Sequence, residues 1–320
     1  MRIATALTAA ALMLACGPAL ALDCGKARTP VETAICASPA LAALDDAMAT
    51  AYGEVRALST PAERSMLARA QKKWIGEREA SCPQSPLGVD GCIGSMTGER
   101  LKLFEGRPES GPGLRSRLIP VFIVQEGSAT AYDLDLTLLR FADPQTPGER
   151  RLNAITQEIV ERTPAGPHGE DSGGSIYAIV DFMTLSHASP RLISVMRSSW
   201  ANLGGAHGNG GISNINLDPA TGRDYGLEHV VPEAAAAALM TSCRAQIIAE
   251  KAERWGSEPY DPAQDSFLKD EVISEHIATL SRWSFTDRAA TVSFDAYAIG
   301  PYAEGSYDCV FPMAELKSLA

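Results

Sequence analysis

The sequence is poor in basic and aromatic residues, and only its N-terminus carries a long apolar run. Its 28 Lys and Arg residues face 39 Asp and Glu residues, which gives a formal net charge of −11. Such an acidic chain is repelled by phosphate backbones and anionic lipid headgroups, so composition argues against a nucleic-acid-binding protein. The hydrophobic fraction of 45% is that of an ordinary globular protein with a buried core. We therefore expect a globular chain that attracts a basic protein partner and binds no nucleic acid.

Several motifs of catalysis and metal binding are also missing. The sequence contains no Cys-x-x-Cys, which argues against a thioredoxin-like redox pair and a zinc knuckle. It contains no Gly-x-Ser-x-Gly and no His-Glu-x-x-His, and its five histidines are scattered without the spacing of metal ligands. We predict no catalytic residue, no metal and no cofactor, and hence a protein that is not an enzyme.

The first 21 residues have the pattern of a secretory signal peptide. Arg2 supplies a positive charge, residues 3–15 are apolar or small, and Ala19-Leu20-Ala21 places small residues before the expected cleavage point. Cleavage there leaves a mature charge of 27 − 39 = −12. We predict a periplasmic or secreted protein without a transmembrane segment. A lipoprotein signal, with Cys16 as the lipidated residue, is the alternative.

Six cysteines remain after the signal segment, an even number that indicates disulfides in an exported chain. Four of them lie between residues 24 and 92, which points to a small domain stabilised by disulfides. Six cysteines allow 15 pairings, so helix geometry has to choose among them. The six are Cys24, Cys36, Cys82, Cys92, Cys243 and Cys309.

Two helices joined by a short turn are predicted in this first domain. Ser38-Pro39 and Thr60-Pro61 have the pattern of helix starts, and apolar residues recur between them at helical spacing. In the resulting antiparallel hairpin Asp45 lies opposite Arg78, which predicts a structural ion pair. The same geometry places Cys36 near Cys82. It therefore favours Cys36–Cys82 and leaves Cys24 to pair with Cys92.

The cysteines and polar residues of this region resemble the N-terminal domain of LprI-type lysozyme inhibitors. That resemblance implies an exported helical domain and, in its family, inhibition of lysozyme. The residues that carry it look architectural, so they locate no inhibitory surface. They are Cys24, Glu32, Cys36, Leu41, Asp45, Tyr52, Gln71, Trp74, Arg78 and Cys82.

A stretch dense in Gly and Pro, residues 106–114, has the pattern of a linker. Beyond it the chain alternates between strand-like and helix-like segments, so the predicted fold class is α+β. The predicted organisation is a signal peptide (1–21), a helical disulfide-stapled domain (22–105), the linker, and a larger mixed sheet-and-helix domain (115–320). By exclusion Cys243 pairs with Cys309, which pins a helix to the last strand.

Two motifs of the larger domain resemble the C-terminal domain of RsiV-type proteins, which sense lysozyme by binding it. One runs from Gly204 through His207 to Gly222, and the other from Phe294 to Gly305. The resemblance implies lysozyme binding.

A partner-binding hairpin is predicted over residues 301–308, with the loop at 204–209 beside it. Tyrosines supply contact area at low entropic cost and carboxylates suit a cationic partner. A hairpin whose tyrosines cover the edge of the core is the alternative. The candidate binding residues are His207, Asn209, Pro301, Tyr302, Glu304, Tyr307 and Asp308.

Together these observations predict an exported envelope protein that binds lysozyme or a similar basic cell-wall hydrolase. Two alternatives remain open. One is a hydrolase that modifies peptidoglycan, because paired carboxylates converge only in three dimensions. The other is an envelope scaffold module without inhibitory activity. The sequence predicts neither the oligomeric state nor the arrangement of the domains.

Overall fold

The computed structural model describes residues 22–164, 166, 176–204, 206–229, 235–256 and 259–319. The predicted signal segment, with Cys16, lies outside these ranges. The chain divides into two compact units, residues 1–57 with 78–101, and residues 58–77 with 102–320. The predicted domain boundary at residues 106–114 stays a prediction.

The first unit is built from helices whose starts are encoded locally. α1 (Pro30–Ala37) begins with a capping box, in which Thr29 and Glu32 bond to each other's backbone NH groups. Extended backbone at Ser38 separates it from α2 (Pro39–Leu58), and the Ser38 hydroxyl accepts a hydrogen bond from the Leu41 NH. α3 (Pro61–Ser81) and α4 (Gly88–Glu105) follow; of these, residues 78–81 of α3 and residues 88–101 of α4 belong to the first unit.

The disulfides of this unit are local, so the predicted pairs Cys36–Cys82 and Cys24–Cys92 are wrong. Cys24 bonds to Cys36 and Cys82 bonds to Cys92. The chain folds back twice over short distances: the 3₁₀ turn Cys24–Lys26 returns to α1, and the turn after α3 returns to α4. Cys82 and Cys92 share a hydrophobic cluster with Ile35 of α1. The predicted hairpin geometry therefore placed the end of α3 near α1 correctly, but it assigned the wrong disulfide pairs.

The ion pair between Asp45 and Arg78 is confirmed. Arg78 Nη1 lies 3.0 Å from Asp45 Oδ1 and 3.1 Å from the hydroxyl of Thr97, and all three residues are buried. The contact joins α2, α3 and α4 inside the first unit. A charged pair with an additional hydrogen-bond partner fixes how these helices pack.

We expect Asp45→Asn to lower the free energy of unfolding by about 2 kcal/mol, because a buried hydrogen bond loses its charge while the shape is kept. Chemical denaturation measures this change. Asp46→Asn at the exposed neighbouring position is the matched control, and an equal effect of the two substitutions would contradict the assignment.

The second unit contains a five-stranded sheet in the order β1-β2-β3-β4-β5 and a three-stranded antiparallel sheet in the order β6-β7-β8. Neighbouring strands of the larger sheet are antiparallel, except that β2 and β3 are parallel. The helix α5 (Pro147–Arg162) connects β2 to β3. The strands are β1 (Leu118–Gln125), β2 (Asp133–Phe141), β3 (Ala178–Ala188), β4 (Ile193–Asn202), β5 (Asn209–Leu217), β6 (Trp283–Phe285), β7 (Ala289–Phe294) and β8 (Tyr307–Pro312).

Three further helices complete this unit: α6 (Ala236–Trp255), α7 (Asp270–Ala278) and α8 (Met313–Leu319). α6 and α7 share one hydrophobic core with the smaller sheet, while the larger sheet and α5 share another. The predicted pair Cys243–Cys309 is confirmed and joins α6 to β8. The smaller sheet bonds to the larger one, because Asn216 donates to the Trp283 carbonyl and Phe285 NH donates to Ser194.

The α+β fold class is confirmed, with a helical disulfide-bonded region before a mixed sheet-and-helix region. Within the described ranges, no helix combines the length and the apolar character that a membrane span requires. The sequence did not predict the short elements α1, β6 and α8, which carry too few residues for a clear hydrophobic period.

Candidate functional site

The two glycine-rich loops singled out in the sequence meet in the second unit. His207, just before β5, stacks on Tyr302 of the 3₁₀ turn Tyr302–Glu304, with ring centroids 4.1 Å apart. The Tyr302 hydroxyl donates a hydrogen bond of 3.1 Å to the Gly208 carbonyl. Tyr297 completes the group, with its ring centroid 5.4 Å from that of Tyr302. We call His207, Tyr297 and Tyr302 the aromatic loop cluster.

Both ring nitrogens of His207 have a partner. Its Nδ1 lies 2.8 Å from the Gly208 carbonyl oxygen, and its Nε2 lies 3.2 Å from the Tyr297 hydroxyl. Because a carbonyl only accepts, Nδ1 is the donor in the first of these hydrogen bonds. The histidine therefore holds both loops in a defined arrangement.

The backbone at Tyr297 is strained. Its φ is +73°, and no other non-glycine residue of the described chain has a positive φ. A bulky side chain in this region costs on the order of 1–3 kcal/mol, and such residues concentrate at functional sites. Tyr297 is 49% exposed, so its ring covers no core that would explain the strain. Tyr297 therefore combines a strained backbone with an exposed aromatic ring.

Two of the predicted binding residues, Glu304 and Tyr307, form hydrogen bonds within the protein that support the 301–308 loop. Tyr307 is 1% exposed and donates a hydrogen bond of 2.5 Å to Glu304. Glu304 also accepts from Lys251 at 2.9 Å, and Lys251 contacts Asp265 at 2.8 Å. Tyr307 is therefore buried, as the alternative of a tyrosine that covers the edge of the core predicted, and Lys251 of α6 pairs with the partly buried Glu304. The part of these two residues in partner binding stays a prediction. We call Lys251, Asp265, Glu304 and Tyr307 the lysine cluster.

The electrostatics of the lysine cluster follow from burial. Desolvation raises the pKa of Tyr307 above its usual range, and the adjacent Glu304 adds to that shift. Burial alone would raise the pKa of Asp265, but hydrogen bonds from Lys251 and Tyr260 outweigh it, so the pKa of Asp265 is lowered. The cluster is a charged anchor for the turn that presents Tyr302.

The other three predicted binding residues are Pro301, Asn209 and Asp308. Pro301 precedes the 3₁₀ turn and is half-buried. Asn209 is exposed at the start of β5, where it pairs with Ala201. Asp308 is exposed on β8, next in sequence to the buried Tyr307. Their part in partner binding stays a prediction.

A cleft of about 450 Å³ adjoins Tyr302, and sequence reasoning missed its central residue, Trp200. Trp200 lies near the end of β4 and is 37% exposed. The signal that was available is the pair Gly208 and Gly210 around the start of the paired strand, since a side chain at Gly208 would collide with the indole and one at Gly210 with the backbone of β4.

Among the described residues that line the cleft, Asp295 is the only charged one, and it already has a cation as its partner. Its carboxylate accepts from Arg282 at 2.5 Å and from the Ile212 NH at 2.7 Å. Nowhere in the described ranges do three His, Cys, Asp or Glu side chains gather in a way that would hold a metal ion. The arrangement presents aromatic rings and neutral polar groups.

Comparison with known families finds a match for two segments of the chain. Residues 24–103 match the family described as "Lysozyme inhibitor LprI", and residues 233–314 match the family described as "Protein of unknown function (DUF3298)". The chain thus combines an LprI-type segment with a DUF3298-type segment, and neither is a known enzyme family. The LprI match supports lysozyme binding at the level of the family. The RsiV-type resemblance is narrower than the DUF3298 match and stays a prediction.

Two solved structures of DUF3298 family proteins are similar to part of the chain. The protein from Bacteroides fragilis is 14% identical with a TM-score of 0.43, over 64% of this chain and 98% of that one. The protein from Pseudomonas aeruginosa is 18% identical with a TM-score of 0.39, over 65% and 95% of the two chains. No curated protein matches the chain. The disulfides and the LprI match indicate an extracytoplasmic protein.

Proposed function

We propose that this protein is a periplasmic or secreted binder of lysozyme or a similar basic cell-wall hydrolase, and that it inhibits the enzyme it binds. The observation that carries this proposal is the match of residues 24–103 to the lysozyme inhibitor family. The excess of 39 acidic over 28 basic residues fits a basic partner, because opposite net charges accelerate encounter.

The aromatic loop cluster is the surface that we propose for docking. Tyr297 and Tyr302 are 49% and 37% exposed, and His207 is exposed beside them. Exposed tyrosines on a prearranged loop are typical of binding hot spots, since little side-chain entropy is lost when the partner arrives. We expect binding to be non-covalent. The lysine cluster supports the 3₁₀ turn Tyr302–Glu304 through the contact between Lys251 and Glu304.

We expect Tyr297→Asn to weaken binding of lysozyme by about tenfold or more, because an exposed aromatic contact is lost. The same substitution should change the free energy of unfolding by less than about 1 kcal/mol, since asparagine tolerates a positive φ and relieves the strain. Calorimetric titration and chemical denaturation measure the two quantities.

The matched control is Phe267→Ala, which removes an aromatic side chain that is 41% exposed and lies outside the cluster. This control should bind lysozyme like the wild type. Unchanged affinity in Tyr297→Asn, or an equal loss in both variants, would remove the aromatic loop cluster from the proposed docking surface.

A further inference from the structure

The cleft beside Tyr302 has the composition of a ligand site. Its volume is about 450 Å³, which lies in the range of small-molecule pockets. Two aromatic residues, Trp200 and Tyr302, line it together with small polar and glycine residues. The described residues that line it are Ser198, Ser199, Trp200, Gly210, Gly211, Ile212, Asp295, Ala296, Tyr302, Gly305 and Ser306.

The strand opposite Trp200 is shaped to hold the indole in place. A Cβ atom at Gly208 would lie 2.2 Å from Trp200 Cζ2, and one at Gly210 would lie 2.4 Å from the Ser199 carbonyl oxygen. The absence of a side chain at Gly208 lets the ring lie against the backbone just before β5, and its absence at Gly210 lets β5 lie close to the backbone of β4. Trp200 nevertheless keeps 37% of its surface exposed, so a large ring is held rigidly where a ligand can reach it.

The charges around the cleft argue against an ionic ligand. Asp295 is paired with Arg282 at 2.5 Å, and Glu304, just outside the lining, is paired with Lys251 at 2.9 Å. Because Asp295, the charged residue in the described lining, already has a cation as its partner, an ionic ligand finds no unpaired opposite charge in that lining to repay its desolvation. The remaining features are flat aromatic faces and the hydroxyl groups of Ser198 and Ser306.

We propose that this cleft binds an uncharged β-linked pyranose oligosaccharide. Such a sugar has a flat face of C–H groups that packs on an aromatic ring, whose face carries the negative part of the quadrupole. Its edge carries hydroxyl groups that hydrogen-bond to serine side chains and exposed backbone. Trp200 is the platform, Tyr302 the second aromatic wall, and Ser198 and Ser306 the polar contacts. This site is separate in chemistry from the capture of a basic hydrolase.

Titration of the full chain with trisaccharides tests the proposal without any hydrolase present. The probes are the β-1,4-linked trimers of N-acetylglucosamine and of glucose, with a lysine-rich peptide as the cationic competitor. We expect saturable binding of at least one trimer, weakened about tenfold or more by Trp200→Ala and largely retained by Trp200→Phe. Preference for the acetylated trimer would identify cell-wall glycan as the source, and preference for the glucose trimer another glycan.

Trp255→Ala is the matched control, because Trp255 is 54% exposed and does not line the cleft. It should bind the trimers like the wild type. Three results would overturn the proposal: no binding of either trimer, sugar binding that survives Trp200→Ala, or binding of the cationic peptide alone at this cleft. Each of these results leaves the lysozyme titration unaffected, so the two proposals fail separately.

Discussion

Lys251→Met is expected to lower the free energy of unfolding by about 3 kcal/mol, because it leaves two largely buried carboxylates without their cation. The Lys251 side chain is 1% exposed, and those of Asp265 and Glu304 are 10% and 18% exposed. Methionine fills a similar volume, so the effect reports on charge rather than on a cavity. Chemical denaturation at neutral pH gives the value.

A second substitution makes this test specific. Lys251→Met combined with Glu304→Gln removes one of the two uncompensated charges and should recover part of the loss. Lys269→Met is the matched control, because Lys269 is exposed and forms no part of the lysine cluster. A loss in the control as large as that in Lys251→Met would contradict the assignment.

The loss caused by Lys251→Met should shrink as the pH falls. In the wild type the pKa of Asp265 is lowered, so its contribution is present above the unfolded pKa near about 4 and is lost as pH falls through the folded pKa. Without Lys251 the buried carboxylates favour their protonated forms, and acid relieves the penalty. Chemical denaturation from pH 7 to pH 4 measures the difference in unfolding free energy between the wild type and Lys251→Met. A difference that grows towards low pH would contradict this explanation.

Removing the disulfide between α6 and β8 is the second large effect that we expect. Cys243 and Cys309 are both fully buried, and their sequence separation is 66 residues. On loop entropy alone, Cys243→Ala with Cys309→Ala should cost about 4 kcal/mol. Cys24→Ala with Cys36→Ala opens a separation of 12 residues and should cost about 3 kcal/mol.

Thermal and chemical denaturation of the two double variants compare these losses directly. Which of the two variants loses more stability matters more than the absolute values. Both variants delete two sulfur atoms, so the comparison reports on loop length and burial. A larger loss from Cys24→Ala with Cys36→Ala would show that the long crosslink does not hold α6 against β8.

Local signals in the sequence predicted much of the helical region. Ser38 and Thr60 mark helix starts in the structure as they do in the sequence, and Asp45 meets Arg78 as the hairpin geometry required. The predicted disulfide pairing was wrong because the segments that precede α1 and α4 show no hydrophobic periodicity from which their path could be predicted. The 3₁₀ turns in these segments fold the chain back locally, so that each cysteine pairs with the next one in the sequence.

The environment of the candidate binding residues was harder to predict, because the exposure of a side chain depends on contacts that are distant in sequence. Glu304 and Tyr307 looked like loop residues, but Lys251, 53 residues before Glu304, draws the acid inward. His207 and Tyr302 were predicted because each lies in a glycine-rich loop, and the structure stacks them. Trp200 was missed because what distinguishes it is the glycine-rich segment that packs against it, and the sequence alone does not show which segments pair.

The most direct test of lysozyme capture is calorimetric titration of the full chain with purified lysozyme, at low salt and again at raised salt. We predict saturable binding at low salt that weakens as salt is added, because screening reduces the attraction between an acidic and a basic protein. Absence of binding at low salt would contradict the proposed function.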